Sequence, residues 1–322
     1  MGAGCKSFAI NFRRQCLVTA AAFLSILASF PAQCAAPKLK ALTTILPLYC
    51  FAANVVGTLA DVENLLPGNV GPHDFQFSAR DLQKISEADL IIVNGLGLEA
   101  WLDKPLQTLA KARKVALVEA SEGLTAAELV NSSSQLAGIS ETQESHGRSS
   151  KYGGPNPHIW LDPRLAMHAV TNILRAFQLA DAANASGYAE NAGAYLRRLA
   201  QLDAKIQIGL TPIQGVPFIA YHDAFAYWMR RYDLRLVGVV EAIPEVDPSP
   251  QQLHRLYGVI RQTGAKAIFT EPQFSSRLAR QIARDLKLSI GELDPMETGP
   301  FTLTAYEDMM QANMHSLLRN LQ

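Results

Sequence analysis

Residues 156–163 read NPHIWLDP, and this stretch divides an irregular part of the chain from a strongly helical part that follows it. Proline fixes its own φ and moves the preceding residue towards extended conformations. Pro157 and Pro163 therefore bracket a short, stiff, non-helical segment, with His158 held between them. Taken alone, a histidine in such a turn only hydrogen-bonds a backbone carbonyl in most cases. The interpretation of His158 therefore depends on the residues that the fold brings near it.

Two helical segments follow this stretch, at 164–180 and 184–210. The second segment has apolar residues at spacings of three, four and seven, which place them on one face of a helix. These residues are Tyr188, Tyr195, Leu199, Leu202 and Ile206. A helix of this length extends about 40 Å, which is long enough to run the length of a two-lobed protein.

Short apolar runs alternate with amphipathic ones on both sides of these helices, which is typical of βα units and a parallel sheet. The strands are predicted near 42–46, 62–66, 90–94 and 115–119, and again near 218–221, 236–240, 267–270 and 288–293. Further helices are predicted at 224–232, 249–262, 276–286 and 305–321. Ser78 and Asp81 predict the start of another, amphipathic helix, with Leu82 and Ile85 on one face. The sequence thus predicts an α/β fold with two (β/α) lobes, each with a parallel sheet as its core.

Length and composition limit the possible functions. The chain has 322 residues, 48 % of them apolar, and its 29 basic residues balance 29 acidic ones. Such a chain is too long for one small core and suits two lobes of about 130 residues each. The balanced charge predicts no nucleic-acid partner, and the apolar content excludes a disordered protein.

The first 34 residues have the layout of a secretory signal peptide. Lys6, Arg13 and Arg14 precede the uncharged run 16–30, and small residues follow. That run is shorter than the ~20 residues that a spanning helix needs. We expect cleavage near Cys34 or Ala36 and export of the mature protein. Lipid attachment at Cys34 is not expected, because the preceding residue is a bulky glutamine.

The expected domain organisation follows from these segments. Residues 1–34 are the signal peptide, 35–183 an N-terminal α/β lobe, 184–211 a connecting helix and 212–322 a C-terminal α/β lobe. The stretch 131–154 within the first lobe is rich in Ser, Gly, Gln and Glu, which predicts a mobile surface loop. Cys50 is the one cysteine certain to remain after cleavage, so we expect no intramolecular disulfide.

Four metal-binding side chains are predicted at the carboxyl ends of strands, where ligands of open α/β sheets bind. They are His73, His158, His222 and Asp294. Two facing lobes would bring them into one cleft. Three imidazoles and one carboxylate favour zinc, whereas manganese usually requires more oxygen ligands. Glu271 also follows a predicted strand, and we expect it to form a hydrogen bond to a ligand or between the lobes, in preference to binding the metal directly. His146, His168, His254 and His315 lack such positions.

Five stretches of the chain resemble the metal-specific solute-binding proteins of bacterial ABC importers, in particular their zinc receptors (the ZnuA-like group). These stretches are GPHDFQFSARDLQKISEADLIIVNG (71–95), NPHIWLDP (156–163), YHDAFAYW (221–228), PEVDPSPQQL (244–253) and TEPQFSSRLARQIARDLKLSIGELDP (270–295). The resemblance implies two (β/α) lobes joined by one long rigid helix, with a single metal ion between them. It also implies that His73, His158 and His222 are ligands, and that Asp294 matches the aspartate that completes the site in several members.

Two differences from the family pattern bear on the function. Many zinc receptors carry a loop crowded with His, Asp and Glu where this chain has 131–154, and here that loop holds only His146, Glu141 and Glu144. Capture of additional metal by the loop is therefore not expected. Manganese receptors of the family typically have a glutamate at the position of His222, so His222 favours zinc.

The resemblance implies a monomeric periplasmic zinc receptor, and not an enzyme, that delivers its ion to an ABC permease in the inner membrane. A metal-donor protein is a possible further partner. The alternatives are a manganese receptor of the same family, an adhesin-like surface protein and a zinc hydrolase. A catalytic zinc ion usually keeps one open coordination position, which Asp294 would close.

Cleavage of the signal peptide gives the first prediction. The exported protein should begin near Ala35, because the apolar run is too short to span a membrane and small residues follow it. An intact-mass measurement of the exported form tests this expectation. A mass that still includes residues 1–30 would contradict it.

Overall fold

Two four-stranded sheets, each with all of its strand pairs parallel, form the framework of this computed structural model. The first contains β1 (Lys40–Thr43), β2 (Asp61–Asn64), β3 (Leu90–Val93) and β4 (Ala116–Glu119), in the order β2-β1-β3-β4. The second contains β5 (Pro217–Ala220), β6 (Arg235–Val239), β7 (Ala267–Thr270) and β8 (Ser289–Glu292), in the order β6-β5-β7-β8. The predicted α/β fold with two parallel-sheet lobes is confirmed.

The structure describes residues 1, 37–73, 75–110, 115–131, 154–241 and 248–322. Apart from Met1, the predicted signal peptide 1–34 lies outside the described residues. The predicted loop 131–154 also lies outside them, except for its two ends, where Asn131 pairs with Pro155. Within the described ranges, no helix has the length and apolar character needed to cross a membrane.

The helices occupy the predicted connections. They are α1 (Leu46–Val56), α2 (Ala79–Glu87), α3 (Asp103–Ala110), α4 (Pro163–Ala180), α5 (Ala185–Leu210), α6 (Ala226–Tyr232), α7 (Pro250–Thr263), α8 (Arg277–Leu286) and α9 (Ala305–Leu321). The first predicted strand was too long at its end, because α1 already begins at Leu46 with a proline in its first turn. Proline suits that position, where its missing N–H would have no helical partner.

Local capping explains where two of these helices begin. Ser78 and Asp81 form the predicted capping box at the start of α2. Ile85 on the apolar face is fully buried, whereas Leu82 lies at the edge of that face and is 44 % exposed. At α4 the side chain of Asp162 accepts from the Arg164 N–H, and Pro163 occupies the first helical position. Asp162 and Pro163 thus end the stiff segment that carries His158.

The long helix α5 packs against α1 and α4, which precede it, and against α6 and α9, which follow it. The five residues of its predicted apolar stripe are all buried. A single hydrophobic cluster includes Leu42 and Ile91 of the first sheet and Phe218 and Phe269 of the second. The lobe boundaries 35–183, 184–211 and 212–322 remain predictions, since Lys38–Gln322 groups as one unit.

A buried polar cluster ties α5 to α6. The Asp203 carboxylate on α5 accepts two hydrogen bonds from the Arg231 guanidinium, at 3.0 and 2.6 Å, and one from the Tyr232 hydroxyl at 3.0 Å. Charge-assisted, two-pronged pairs of this kind are the strong class of hydrogen bond. Asp203 therefore links the long helix to the second lobe.

Replacement of Asp203 gives the second prediction. Asp203→Asn should lower the free energy of unfolding by about 2 kcal/mol, because the amide carries no charge and cannot accept from both guanidinium nitrogens. Urea unfolding measures the change. Glu190→Gln, at an exposed position of the same helix, is the control and should shift stability by less than about 0.5 kcal/mol. Equal stability of the two variants would contradict the assignment.

Candidate metal centre

Four side chains from separate parts of the chain converge between the two sheets. His73, His158, His222 and Glu297 each present one ligand atom, and these atoms all lie within 4.8 Å of one another. The structure therefore brings together the three histidines that were predicted as ligands. Asp294 lies outside this group, and Glu297 takes the position that Asp294 was expected to occupy.

Two of these ligands belong to the first lobe. His73 follows the loop after β2, and the preceding Pro72 carbonyl accepts a hydrogen bond of 3.1 Å from Trp101 Nε1. His158 stands immediately before a short 3₁₀ turn, Ile159–Leu161. Trp160 in that turn is buried, and its Nε1 donates to the Pro295 carbonyl at 2.7 Å. The His158 segment is thus fastened to the segment that carries Glu297.

The other two ligands come from the second lobe. His222 lies two residues beyond the end of β5, in extended conformation. Glu297 lies beyond β8, after a turn in which Met296 adopts a positive φ of 62°. Asp294 Oδ1 accepts a 2.7 Å hydrogen bond from the Met296 N–H. Burial raises the pKa of the Asp294 carboxyl to about 6. Asp294 therefore shapes the turn that brings Glu297 to the histidines.

The spacing of the ligand atoms suits a tetrahedral ion. The Nε2 atoms of His73, His158 and His222 lie 3.4, 3.3 and 3.8 Å from Glu297 Oε1. A tetrahedral zinc ion at its usual ligand distances would separate its ligand atoms by ~3.3 Å. The Nε2 atoms of His73 and His222 are buried and have no hydrogen-bond partner among the described residues. A bound cation would satisfy them.

Hydrogen bonds at the far side of two imidazoles decide which nitrogen faces the centre. His158 Nδ1 lies 2.8 Å from Asn156 Oδ1, and His222 Nδ1 lies 2.7 and 2.8 Å from the two oxygens of Glu271. These oxygens only accept, so each Nδ1 carries the proton and each Nε2 is turned towards the metal position. Glu271 therefore hydrogen-bonds His222 and lies outside the group of four.

The electrostatics of the group follow from these contacts. Burial lowers the pKa of His158 to about 4, although Glu297 opposes the shift. Burial also disfavours the charged form of His222, but the charge of Glu271 and its hydrogen bond outweigh this and raise the pKa of His222 to about 9. Despite its burial, contacts with His158 and His73 hold the pKa of Glu297 well below its usual range. Neutral His158 and ionised Glu297 thus direct electron pairs at one point, which is an arrangement that a cation stabilises.

Sequence reasoning missed two residues of this site. Asn156 opens the stretch NPHIWLDP, but its contact with His158 depends on the local turn. Glu297 follows Asp294 by three residues, and both lie beyond the last strand at the edge where ligands were expected. The signal for a carboxylate at this edge was present, but it did not distinguish the two acids.

Comparison with known proteins reveals related sequences and structures. The protein AdcA of Streptococcus pyogenes serotype M3, described as zinc-binding, is 28 % identical over 263 residues, which is 81 % of this chain and 51 % of AdcA. The chain thus spans about half the length of that relative. The high-affinity zinc uptake system protein ZnuA of Yersinia pestis is 29 % identical over 266 residues, covering 80 % of this chain and 83 % of that protein.

The structure of the SBP FpvC from Pseudomonas aeruginosa in complex with Mn2+ superposes with a TM-score of 0.75 at 26 % identity, over 88 % of this chain and 98 % of FpvC. Residues 42–320 match the family described as zinc-uptake complex component A periplasmic, or ZnuA. Because that match covers most of the chain, and the fold and the converging side chains agree with it, this protein belongs to the ZnuA family.

Proposed function

We propose that this protein is a zinc receptor that delivers the ion to an ABC importer. The observation that supports this function most strongly is the convergence of three imidazole Nε2 atoms and the Glu297 carboxylate on one point. In this proposal Glu297 replaces Asp294 as the anionic ligand, with His73, His158 and His222 as the other three. Asn156 and Glu271 orient His158 and His222.

The ligand types favour zinc over manganese. Three nitrogen donors and one oxygen suit zinc, whereas manganese prefers oxygen-rich sites. FpvC, with the same fold, was observed with Mn2+, so the manganese alternative deserves a direct comparison of affinities. A hydrolytic role is disfavoured, because four protein ligands leave no open position for a reacting water.

The partners and location follow from the family. The receptor would act in the periplasm after removal of the signal peptide and pass zinc to a permease in the inner membrane. We propose that it works as a monomer. The AdcA and ZnuA relatives support zinc as the cargo, since the first is described as zinc-binding and the second as part of a zinc uptake system.

The choice between the two candidate carboxylates gives the third prediction. Glu297→Gln should weaken zinc binding at least about a hundredfold, because it removes the one anionic ligand. Competition with a chelator of known zinc affinity measures the change. Asp294→Asn is the matched control, since an amide oxygen can still accept from the Met296 N–H, and its affinity should stay within about threefold of the parent. A larger loss of zinc affinity in Asp294→Asn than in Glu297→Gln would indicate that Asp294, and not Glu297, is the ligand.

The pH dependence of zinc binding gives the fourth prediction. In the metal-free protein the pKa of His222 is about 9, so zinc must displace its proton at neutral pH. Affinity should therefore fall as the pH falls below 9, by about tenfold per unit for one displaced proton. Chelator competition at pH 8, 7 and 6 measures the slope.

Glu271→Gln is the control for this slope. The Glu271 charge is the main interaction that raises the pKa of His222. Without it the pKa of His222 should be lower, so the fall in zinc affinity should begin at a lower pH. Equal affinity of the parent at pH 8 and pH 6 would contradict coordination through His222.

A further inference from the structure

A second buried carboxylate lies in the first lobe, outside the group of metal ligands. Glu99 is 7 % exposed. Its Oε1 accepts from the Thr44 hydroxyl and from the Asn94 N–H, each at 2.7 Å, and its Oε2 accepts from the Gly95 N–H at 3.1 Å. Burial raises the pKa of Glu99 to about 7, while these three hydrogen bonds oppose the shift. The carboxylate thus connects the end of β1 with the segment that leaves β3.

That segment has an unusual backbone. Gly95, Leu96 and Gly97 have positive φ values of 83°, 56° and 80°. Glycine adopts this region freely, but a leucine there is strained and persists only where the surroundings hold it. A side chain is also excluded at Gly95, because a Cβ there would lie 2.5 Å from Ser121 Oγ. Glu99 holds the first residues of this turn through their two N–H groups.

The turn contacts the residue before His158 directly and packs against the apolar cluster to which the residue after it belongs. Asn94 Nδ2 donates to the carbonyl of Pro157 at 2.9 Å. Leu96 packs against the apolar cluster that contains Ile159 and Tyr227. Pro157 and Ile159 are the immediate neighbours of His158, so the position of the imidazole depends on where this turn lies.

We propose that Glu99 is a positioning residue for metal binding, which fixes His158 through the Asn94–Gly97 turn. The inference rests on the proposed function, because it assumes that His158 binds zinc. Glu99 itself does not touch the metal position. Its carboxylate holds Asn94 and Gly95. Asn94 in turn holds the Pro157 carbonyl, and Leu96 supports the cluster that contains Ile159, so the Nε2 atom of His158 is kept in line with Glu297.

A glutamine at position 99 tests the carboxylate with little change of shape. In Glu99→Gln the amide nitrogen would face the Gly95 N–H, so that two donors oppose each other and the turn shifts. Removal of residues that orient metal ligands typically costs tenfold to a hundredfold in affinity, and we expect a loss of about tenfold here. The measurement is chelator competition for zinc at pH 8, where the parent carboxylate is ionised.

Glu307→Gln is the matched control. Glu307 is also a buried glutamate, but it pairs with Arg198 of α5 at 3.0 Å. Loss of that pair should reduce the stability of the fold while zinc affinity stays within about twofold, since the His158 segment keeps its contacts. Unchanged zinc affinity in Glu99→Gln, or an equal loss in Glu307→Gln, would overturn the proposal.

A double-mutant cycle with His158→Ala separates positioning from a general loosening of the protein. If Glu99 acts through His158, then Glu99→Gln should change zinc affinity by less than about twofold in the His158→Ala background. A tenfold loss in both backgrounds would contradict the proposal.

Thr44→Val keeps the test decisive if Glu99→Gln does not fold. It removes one donor to the carboxylate, and we expect an affinity loss of about threefold that again vanishes in the His158→Ala background. Failure of the parent to bind zinc would remove the proposed function and this inference together. Normal binding by the parent with no change in these variants would remove this inference alone.

Discussion

The structure depends on holding four electron-pair donors close together in a buried place. Three imidazole nitrogens lie within 3.8 Å of one carboxylate oxygen of Glu297. Burying such groups is costly unless they are paired. For at least two of them, His73 Nε2 and His222 Nε2, the partner would be a metal ion that binds and is released. The rest of the fold must therefore hold these groups in place when no metal is bound. The four ligands belong to four separate segments, so this requires that the two sheets keep a fixed relation.

Several hydrogen bonds outside the metal group supply that fixed relation. Trp160 and Pro295 join the His158 segment to the Glu297 segment, and the Tyr306 hydroxyl donates to the Trp160 carbonyl at 2.7 Å. Asn156 performs two tasks, because its Oδ1 orients His158 while its Nδ2 donates to the Asp223 carbonyl beside His222 at 2.6 Å. Together with α5, which packs along both halves of the chain, these contacts oppose large lobe movements.

The features that could be predicted from the sequence are those that depend on local periodicity or on proline. All eight strands appear within three residues of their expected ends, and the stripe on α5 is buried because its spacing leaves only one apolar face. The three histidines were found because each follows a predicted strand or lies in the proline-bracketed segment. Their convergence, however, is a tertiary property that no local pattern contains.

Local sequence patterns did not predict which carboxylate would lie with the three histidines. Asp294 and Glu297 lie on the same segment, and the choice between them is made by the positive φ of Met296, a conformation that a methionine rarely adopts. For the same reason the proposed role of Glu99 could not be predicted from the sequence, since it depends on a strained turn at Leu96. Both cases concern non-glycine residues in left-handed conformations, which no local sequence pattern in these segments predicts.

The two oriented histidines differ in a way that bears on metal exchange. Burial lowers the pKa of His158 and leaves it uncharged beside its neutral acceptor Asn156, whereas the Glu271 carboxylate stabilises the cation of His222. In the metal-free protein, the positive charge of His222 then partly neutralises the negative charges of Glu297 and Glu271. Zinc brings two positive charges and displaces one proton, so the net charge of the site rises by only one when the ion enters. His73 is the most exposed of the four ligands, at 23 % of its side chain against 5 % or less for the others. The Nε2 atom of His73 is nevertheless buried, so an ion that enters on the His73 side would lose its last waters before it reaches the other ligands.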